Sequence, residues 1–333
     1  LSQRSQLLPS GLNLSATAQL ESDQRAVTRC LILKGKHTMI NNREWLDRMI
    51  ASNATFFVGH SGGKDSQAMA AVVASLVPAS QIVYVHADLG RFEWGTVDIK
   101  THIRNNLPTG AELVVAKAVF NDGQPKDFLS KVEANNRRIQ NQVADPSHKR
   151  TEAASPWPSQ ANRFCTGELK TAPIWKVIRN TAGCSLSKKQ FNKMPRPIVV
   201  NCVGIRAEES PRRSQLEPLS RNVANDNAAR EAYDWYPIFD MKIEEVWATI
   251  KESGQTRHPA YDAGNQRLSC MFCIFGSTND LRNGAQANPS LYREMVEAEQ
   301  RYGFSMHQSR KYLTEITGLE ISSAIGDVTV VTD

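Results

Sequence analysis

A short glycine turn sits between a strand-like and a helix-like segment, and it constrains the chain more than any other feature. The segment reads Thr55-Phe56-Phe57-Val58-Gly59, then His60, then Ser61-Gly62-Gly63-Lys64-Asp65-Ser66, then the alanine-rich run from Gln67 to Leu76. An apolar run of this length predicts a buried strand, and the alanine-rich run predicts a helix. The two glycines allow the backbone to approach an anion closely, and the start of the helix points its amide hydrogens and positive dipole end at the same place. Ser61 and Ser66 add hydroxyl donors and Lys64 a mobile charge. Asp65 is expected either to cap the helix or to hold a metal. The segment is therefore expected to cradle phosphate. A Walker A loop is excluded, because that motif needs glycine five residues before the Gly-Lys pair and Ser or Thr after the lysine. Here those positions hold Val58 and Asp65.

The alternation continues downstream. Strands are expected at residues 81–87, 111–118 and 198–205, with helices at 43–52, 93–106, 127–139, 168–180, 242–253 and 290–302. Pro173 is expected in the first turn of its helix or at a kink. Residues 141–162, polar and with three prolines, read as a long surface loop, and 208–230 as a polar arginine-bearing loop. Strands separated by helix-length segments imply right-handed crossovers and an α/β, doubly wound, mainly parallel sheet, with helical N- and C-terminal additions. The expected division is an N-terminal extension over 1–40, a nucleotide-binding α/β domain over 41–255, and a C-terminal cysteine-pair and helical region over 256–333.

Ligands of doubly wound sheets gather at the carboxyl ends of the strands, which places Asp88, closing the second strand, near a bound nucleotide. His86 reads as a packed or hydrogen-bonded structural residue. The six cysteines among 333 residues are too sparse for a disulfide scaffold, so the expected compartment is the cytoplasm. The longest apolar stretches are strand-sized, far short of a membrane span, and the N-terminal residues lack the apolar centre of a secretory signal. The net charge of +6 suits an anionic substrate or nucleic acid. Candidate basic segments are Lys188, Lys189, Lys193 and Arg196, and Arg212, Arg213 and Arg221.

The Ser-Gly-Gly-Lys-Asp-Ser loop after a strand resembles the PP-loop of the ATP pyrophosphatase superfamily, whose members cleave ATP between its α- and β-phosphates. Further segments resemble the phosphoadenosine phosphosulfate (PAPS) reductase family within it. These are VHADLGRFEW at 85–94, RFCTGELK at 163–170 with Pro173, VGIRAEES at 203–210 with Arg212 and Arg213, and HPAYD at 258–262 with Gly264, Arg267, Cys270 and Cys273. Together they run from about Phe56 to Cys273.

That resemblance implies ATP and Mg²⁺ as cofactors, bound at Ser61, Gly62, Gly63, Lys64, Asp65, Ser66 and Asp88. It implies catalytic or anion-contacting roles for Lys64, Asp65, Lys170 and Arg206, with Arg213 a further contact. It also implies a 4Fe–4S cluster on Cys165, Cys270 and Cys273; the fourth ligand would be Cys184 or Cys202, or be absent, and Cys202, within an apolar strand, reads as core. Zinc and redox-active thiols are the alternatives that the Cys-x-x-Cys spacing leaves open. Two departures stand out. Phe164 replaces the family's adjacent cysteine, and residues 274–333 contain no cysteine to serve as the reductase's nucleophile. The expected activity is therefore adenylation by an ATP pyrophosphatase in sulfur transfer, with DNA or other nucleic acid and a sulfur-donor protein as partners, as in bacterial DNA phosphorothioation. PAPS or APS reduction and a nucleotide-sensing regulatory role are the rivals.

Overall fold

The computed structural model describes residues 43–95, 97–181, 196–321 and 328–330. The expected N-terminal extension, Cys30, Cys184, Lys188, Lys189 and Lys193 lie outside the described residues.

The strands β1 (Thr55–Gly59), β2 (Ile82–Asp88), β3 (Leu113–Lys117), β4 (Ile198–Cys202), β5 (Leu219–Arg221) and β6 (Glu231–Trp235) form one sheet in the order β3-β2-β1-β4-β6-β5. Every pairing is parallel except β5 with β6. Successive side chains of a strand point to opposite faces. Phe56 and Val58 of β1 accordingly join one core with Leu46 of α1 (Arg43–Ala51), Met69 and Val73 of α2 (Lys64–Leu76), and Val246 and Ile250 of α6 (Ile243–Glu252). Phe57 joins the opposite core, with Val85, Val199, and Trp175 and Ile178 of α5 (Ala172–Thr181). Helices on both faces of a mainly parallel sheet make the fold doubly wound.

Three differences from the sequence expectation have local physical causes. The helix expected from Glu93 begins only at Ile99, as α3 (Ile99–Asn105). Asp98 caps it by accepting the Thr101 amide at 2.8 Å, while Glu93 turns back to accept the Leu89 amide at 3.0 Å. The helix expected to stop at Ile139 continues as α4 (Phe128–Ala144), started by a capping box between Asp127 and Ser130. Ahead of α5 the chain is π-helical over Gly167–Thr171, and Pro173 lies in the first turn that follows. The proline has no N–H for the preceding turn, and the backbone there is wider than an α-helix.

Strand β6 and the edge strand β5, after and within the segment expected to be loop, complete the sheet. The C-terminal region holds α7 (Thr278–Ala287), α8 (Pro289–Tyr302), α9 (Leu313–Thr317) and a β7–β8 pair (Leu319–Ile321 with Val328–Val330). These helices share a core with Phe92, Phe128, Trp157 and Phe164. The segment carrying Cys270 and Cys273 is thereby brought beside the end of β2: the Met271 amide donates to the Phe92 carbonyl at 2.8 Å. The Trp94 indole N–H donates to the Ser269 carbonyl at 3.1 Å.

Candidate active site

β1 lies between β2 and β4, so the loops leaving β1 and β4 diverge at the switch point of the sheet, where doubly wound folds open a crevice. The glycine turn occupies that place. Gly62 has φ +79°, a left-handed conformation that side chains resist, and a Cβ there would also meet Ile99 at 3.2 Å. Gly63 caps α2, whose first residues are Lys64 and Asp65. From the other side Gly204 lies so close that a Cβ on it would stand 2.9 Å from the Asp65 carbonyl oxygen.

The sequence leads one to expect the turn's amides to face a phosphate. The structure instead gives four of them, those of residues 61–64, an acceptor within the protein. Ser61 N–H donates to Ser66 Oγ at 3.1 Å, and Gly62 N–H to His60 Nδ1 at 3.1 Å. Gly63 N–H reaches Ser61 Oγ at 3.5 Å, and Lys64 N–H donates to the Tyr261 hydroxyl at 2.9 Å. Three of these acceptors are hydroxyl side chains, which can rotate away. Ser66 Oγ in turn donates to the Gly63 carbonyl at 2.8 Å.

The Asp65 carboxylate is held by two cationic side chains. Its Oδ1 accepts from Arg206 Nε at 2.7 Å and its Oδ2 from Lys64 Nζ at 2.8 Å. Arg206 is buried, and its Nη1 is also paired with Glu208. The guanidinium expected to grip a substrate anion thus ties the end of β4 to the first turn of α2. Arg213, in a one-turn helix at Pro211–Ser214, pairs with Glu209.

Asp88, at the end of β2, accepts the Gly90 amide at 2.8 Å and lies 3.4 Å from Lys100 Nζ and 3.6 Å from Lys117 Nζ. Burial raises its pKa, but the Gly90 amide and the two lysines outweigh burial and leave it below the ordinary carboxylate range. His86 is buried, with Nδ1 2.9 Å from the His60 carbonyl and Nε2 2.8 Å from Glu93 Oε1. His60 is fully enclosed and, through burial and the neighbouring His86 and His102, is held near 3, a neutral imidazole.

Lys170 is placed elsewhere, in a cavity with Cys165, Cys270, Cys273, Lys126, Arg163 and Phe275. Cys273 accepts a hydrogen bond from the Cys270 thiol, which holds it below the ordinary thiol range and pushes Cys270 well above it. The sequence pattern brings these three cysteines to one cavity. A cluster needs about four ligands. Among the described residues no group of three or more His, Cys, Asp or Glu side chains is arranged to hold a metal ion. Cys202, proposed as fourth ligand, is wholly buried in β4 within the sheet core. The described thiols therefore do not fit a complete cluster. Asp65 and Asp88 do not form a protein-only site for a divalent cation either, each being already paired with two cationic side chains.

Tyr261, His60 and Glu93 were not picked out from sequence as site residues. Tyr261 stood inside the HPAYD segment at 258–262, but its contact with Lys64 spans 197 positions and has no local signature. Of the candidate basic residues, Arg196 pairs with Glu231 at 2.8 Å, Arg213 with Glu209 and Arg221 with Asp226. No described helix is long and apolar enough to cross a membrane.

A curated relative, an uncharacterized 37.8 kDa protein of Escherichia phage 186, is 26% identical over 264 residues, covering 70% of this chain and 71% of its own. Similar solved structures include a PAPS reductase from Candida auris in a phosphate complex, at 11% identity and TM-score 0.36, covering 78% of this chain and 97% of that one. Another is the FMN adenylyltransferase of Candida glabrata with FMN and an ATP analogue, at 14% identity and TM-score 0.35, covering 79% and 67%. A third is the NAD⁺ synthetase of Burkholderia pseudomallei, at 13% identity and TM-score 0.33, covering 85% and 98%. The model of the phosphoadenosine phosphosulfate reductase domain matches residues 55–275, from the first strand of the sheet through the cysteine pair. The chain belongs to the PAPS reductase domain family.

Proposed function

We propose that the protein is an ATP pyrophosphatase that adenylates a substrate in a sulfur-transfer reaction, with nucleic acid as the acceptor. The observation that carries this reading is the glycine turn of residues 61–66 at the switch point of the sheet, backed by Lys64, Asp65 and the buried Arg206. A substrate oxygen attacks the α-phosphorus of ATP, the bond to the β-phosphate oxygen breaks, and pyrophosphate leaves with the electron pair. Sulfur then displaces AMP from the adenylated atom. A divalent cation carried by the phosphates supplies charge neutralisation. The chain's own part is to orient the polyphosphate by the turn and to place the Lys64 ammonium against it. Arg206 acts through Asp65, fixing the first turn of α2. Asp88 is the acceptor offered to the ribose or adenine edge.

Reduction of PAPS needs a thiolate to attack the sulfur, and residues 274–333 supply none. The cavity of Cys165, Cys270, Cys273 and Lys170 is the place proposed for sulfur handling by a donor protein. Incubation of the pure protein with Mg²⁺ and ATP tests the reading. AMP and pyrophosphate in equal amounts, lost in Lys64→Ala, support it. Sulfite released from PAPS with thioredoxin as reductant overturns it, and tight ATP binding with no turnover favours a sensing role.

A further inference from the structure

The acceptor at the head of α2 comes from far along the chain. Lys64 is the first helical residue, so its amide is one of the donors a helix cannot satisfy internally. The Tyr261 hydroxyl fills that need at 2.9 Å. It also lies against the turn itself, 3.4 Å from where a Cβ on Gly63 would be. The side chain belongs to a 3₁₀ turn, Pro259–Tyr261, stiffened by the Ala260 amide donating to His258 Nδ1 at 3.1 Å. This oxygen sits where an anion would be drawn by the helix dipole and the turn.

We propose that the Tyr261 hydroxyl stands in for a phosphate oxygen at the Lys64 amide, and that an adenosine polyphosphate binds by driving it off. The inference rests on the reading that residues 61–66 take phosphate. The direction of the exchange follows from the chemistry of the two oxygens. Burial, first of all, raises the Tyr261 phenol to about 12, so the group is neutral at physiological pH. A phosphate oxygen is charged, and hydrogen bonds to charged acceptors are roughly twice as strong as neutral ones. Tyr261 is therefore an internal competitor that lowers the affinity of the site and keeps the amide satisfied until nucleotide arrives.

The structure also supplies a reporter. Trp247 of α6 meets the Tyr261 ring edge-on, with centroids 5.1 Å apart and planes at 89°. Displacement of the tyrosine alters the surroundings of this indole.

The test uses the full chain with Mg²⁺ and α,β-methylene ATP, which cannot be cleaved between its α- and β-phosphates. Tyr261→Phe keeps the ring and deletes the oxygen. Its dissociation constant, by calorimetry, is expected to be about threefold to tenfold lower than that of the parent, the effect of one hydrogen bond that no longer has to be broken. The parent's tryptophan fluorescence is expected to change on saturation, and Trp247→Phe to abolish that change. An unaltered or weaker affinity in Tyr261→Phe overturns the proposal, the weaker case making the hydroxyl a donor to phosphate. A parent whose fluorescence stays constant through saturation also overturns it. Absence of binding by parent and variant alike removes the phosphate-loop reading and the proposal together, an outcome distinct from binding that the variant leaves unchanged.

Discussion

Arg206 Nε donates to Asp65 Oδ1 at 2.7 Å, joining the loop that follows β4 to the first turn of α2 across 141 positions of sequence. The two loops that flank the switch point are locked to each other by this one contact. The remaining Asp65 oxygen holds Lys64, so the turn's mobile cation and the buried arginine share a single carboxylate.

Asp65→Asn keeps the shape but removes the charge that compensates Arg206. A buried guanidinium left partly unpaired is strongly disfavoured. Chemical denaturation is expected to show a loss of about 1–3 kcal/mol, the range for a charge-assisted hydrogen bond. Glu208→Gln, on a more exposed partner of the same arginine, should cost less than about 1 kcal/mol. Equal losses would show that Asp65 is not the principal anchor.

Gly204→Ala tests the close approach of the two loops. The added methyl carbon would lie 2.9 Å from the Asp65 carbonyl oxygen and 3.2 Å from the Ser66 amide nitrogen, both backbone atoms that cannot rotate away. The head of α2 must shift. Overpacking of this kind costs about 1–3 kcal/mol. Because the shift falls on the phosphate turn itself, ATP affinity should fall at least about tenfold, more than so modest a loss of stability would cause by unfolding. Normal affinity in a destabilised variant would separate the turn from the nucleotide site.

Glu93→Gln tests the support beneath the turn. Glu93 accepts from the Leu89 amide and faces His86 Nε2, while His86 Nδ1 faces the His60 carbonyl. Both contacts use the same Glu93 oxygen, Oε1, while Oε2 lies 3.4 Å from Lys100 Nζ, so a glutamine keeps the two bonds only by turning its NH₂ toward the lysine and loses the charge that faces it. The expected loss is about 1–3 kcal/mol, with partial recovery in the His86→Gln, Glu93→Gln double variant if the two act as a pair. Additive losses would show that they do not.

Sheet and turn were legible from sequence because both are local. β1 is a continuous apolar run, α2 is alanine-rich, and the turn between them carries its glycines where the backbone needs them. β6 was not legible: Glu231-Ala-Tyr-Asp-Trp235 is mixed in character, and its place comes from pairing with β4 across the sheet. α7 was missed because Gly284 sits inside it, where the close approach of the Met271 carbonyl, 3.0 Å from a would-be Cβ, takes precedence over helix propensity. The site divides in the same way. The residue types at 61–66 led to the expectation of a phosphate turn, but the acceptors at the amides of residues 61–64 could not be read there. Tyr261 arrives from the C-terminal third, and Arg206 could be known to face Asp65 only after β1 and β4 were placed side by side.

Glu299 of α8 gives a pH-dependent prediction away from the site. Its carboxylate is wholly buried and accepts the Met306 amide at 2.7 Å on Oε1 and the Leu313 amide at 2.8 Å on Oε2. Burial raises its pKa to about 7, against the pull of those two amides and with the help of nearby Glu315. The ordinary value is 4.5, so the folded state holds this proton more tightly than the unfolded one. The contribution is therefore fully present below about pH 4.5 and is lost as pH rises toward 7, by up to about 3 kcal/mol. Carboxylates with lowered values, such as Asp88 and Glu168, act in the opposite direction, so the readout must be a difference between parent and variant. Glu299→Gln has no such titration, and its amide group must turn N–H toward one of the two backbone donors, costing about 1–3 kcal/mol. Urea denaturation at pH 5 and pH 8 should show a larger deficit of the variant at pH 5 than at pH 8. A deficit that is equal at the two values, or larger at pH 8, would mean that Glu299 is charged throughout and that its two amide bonds outweigh its burial.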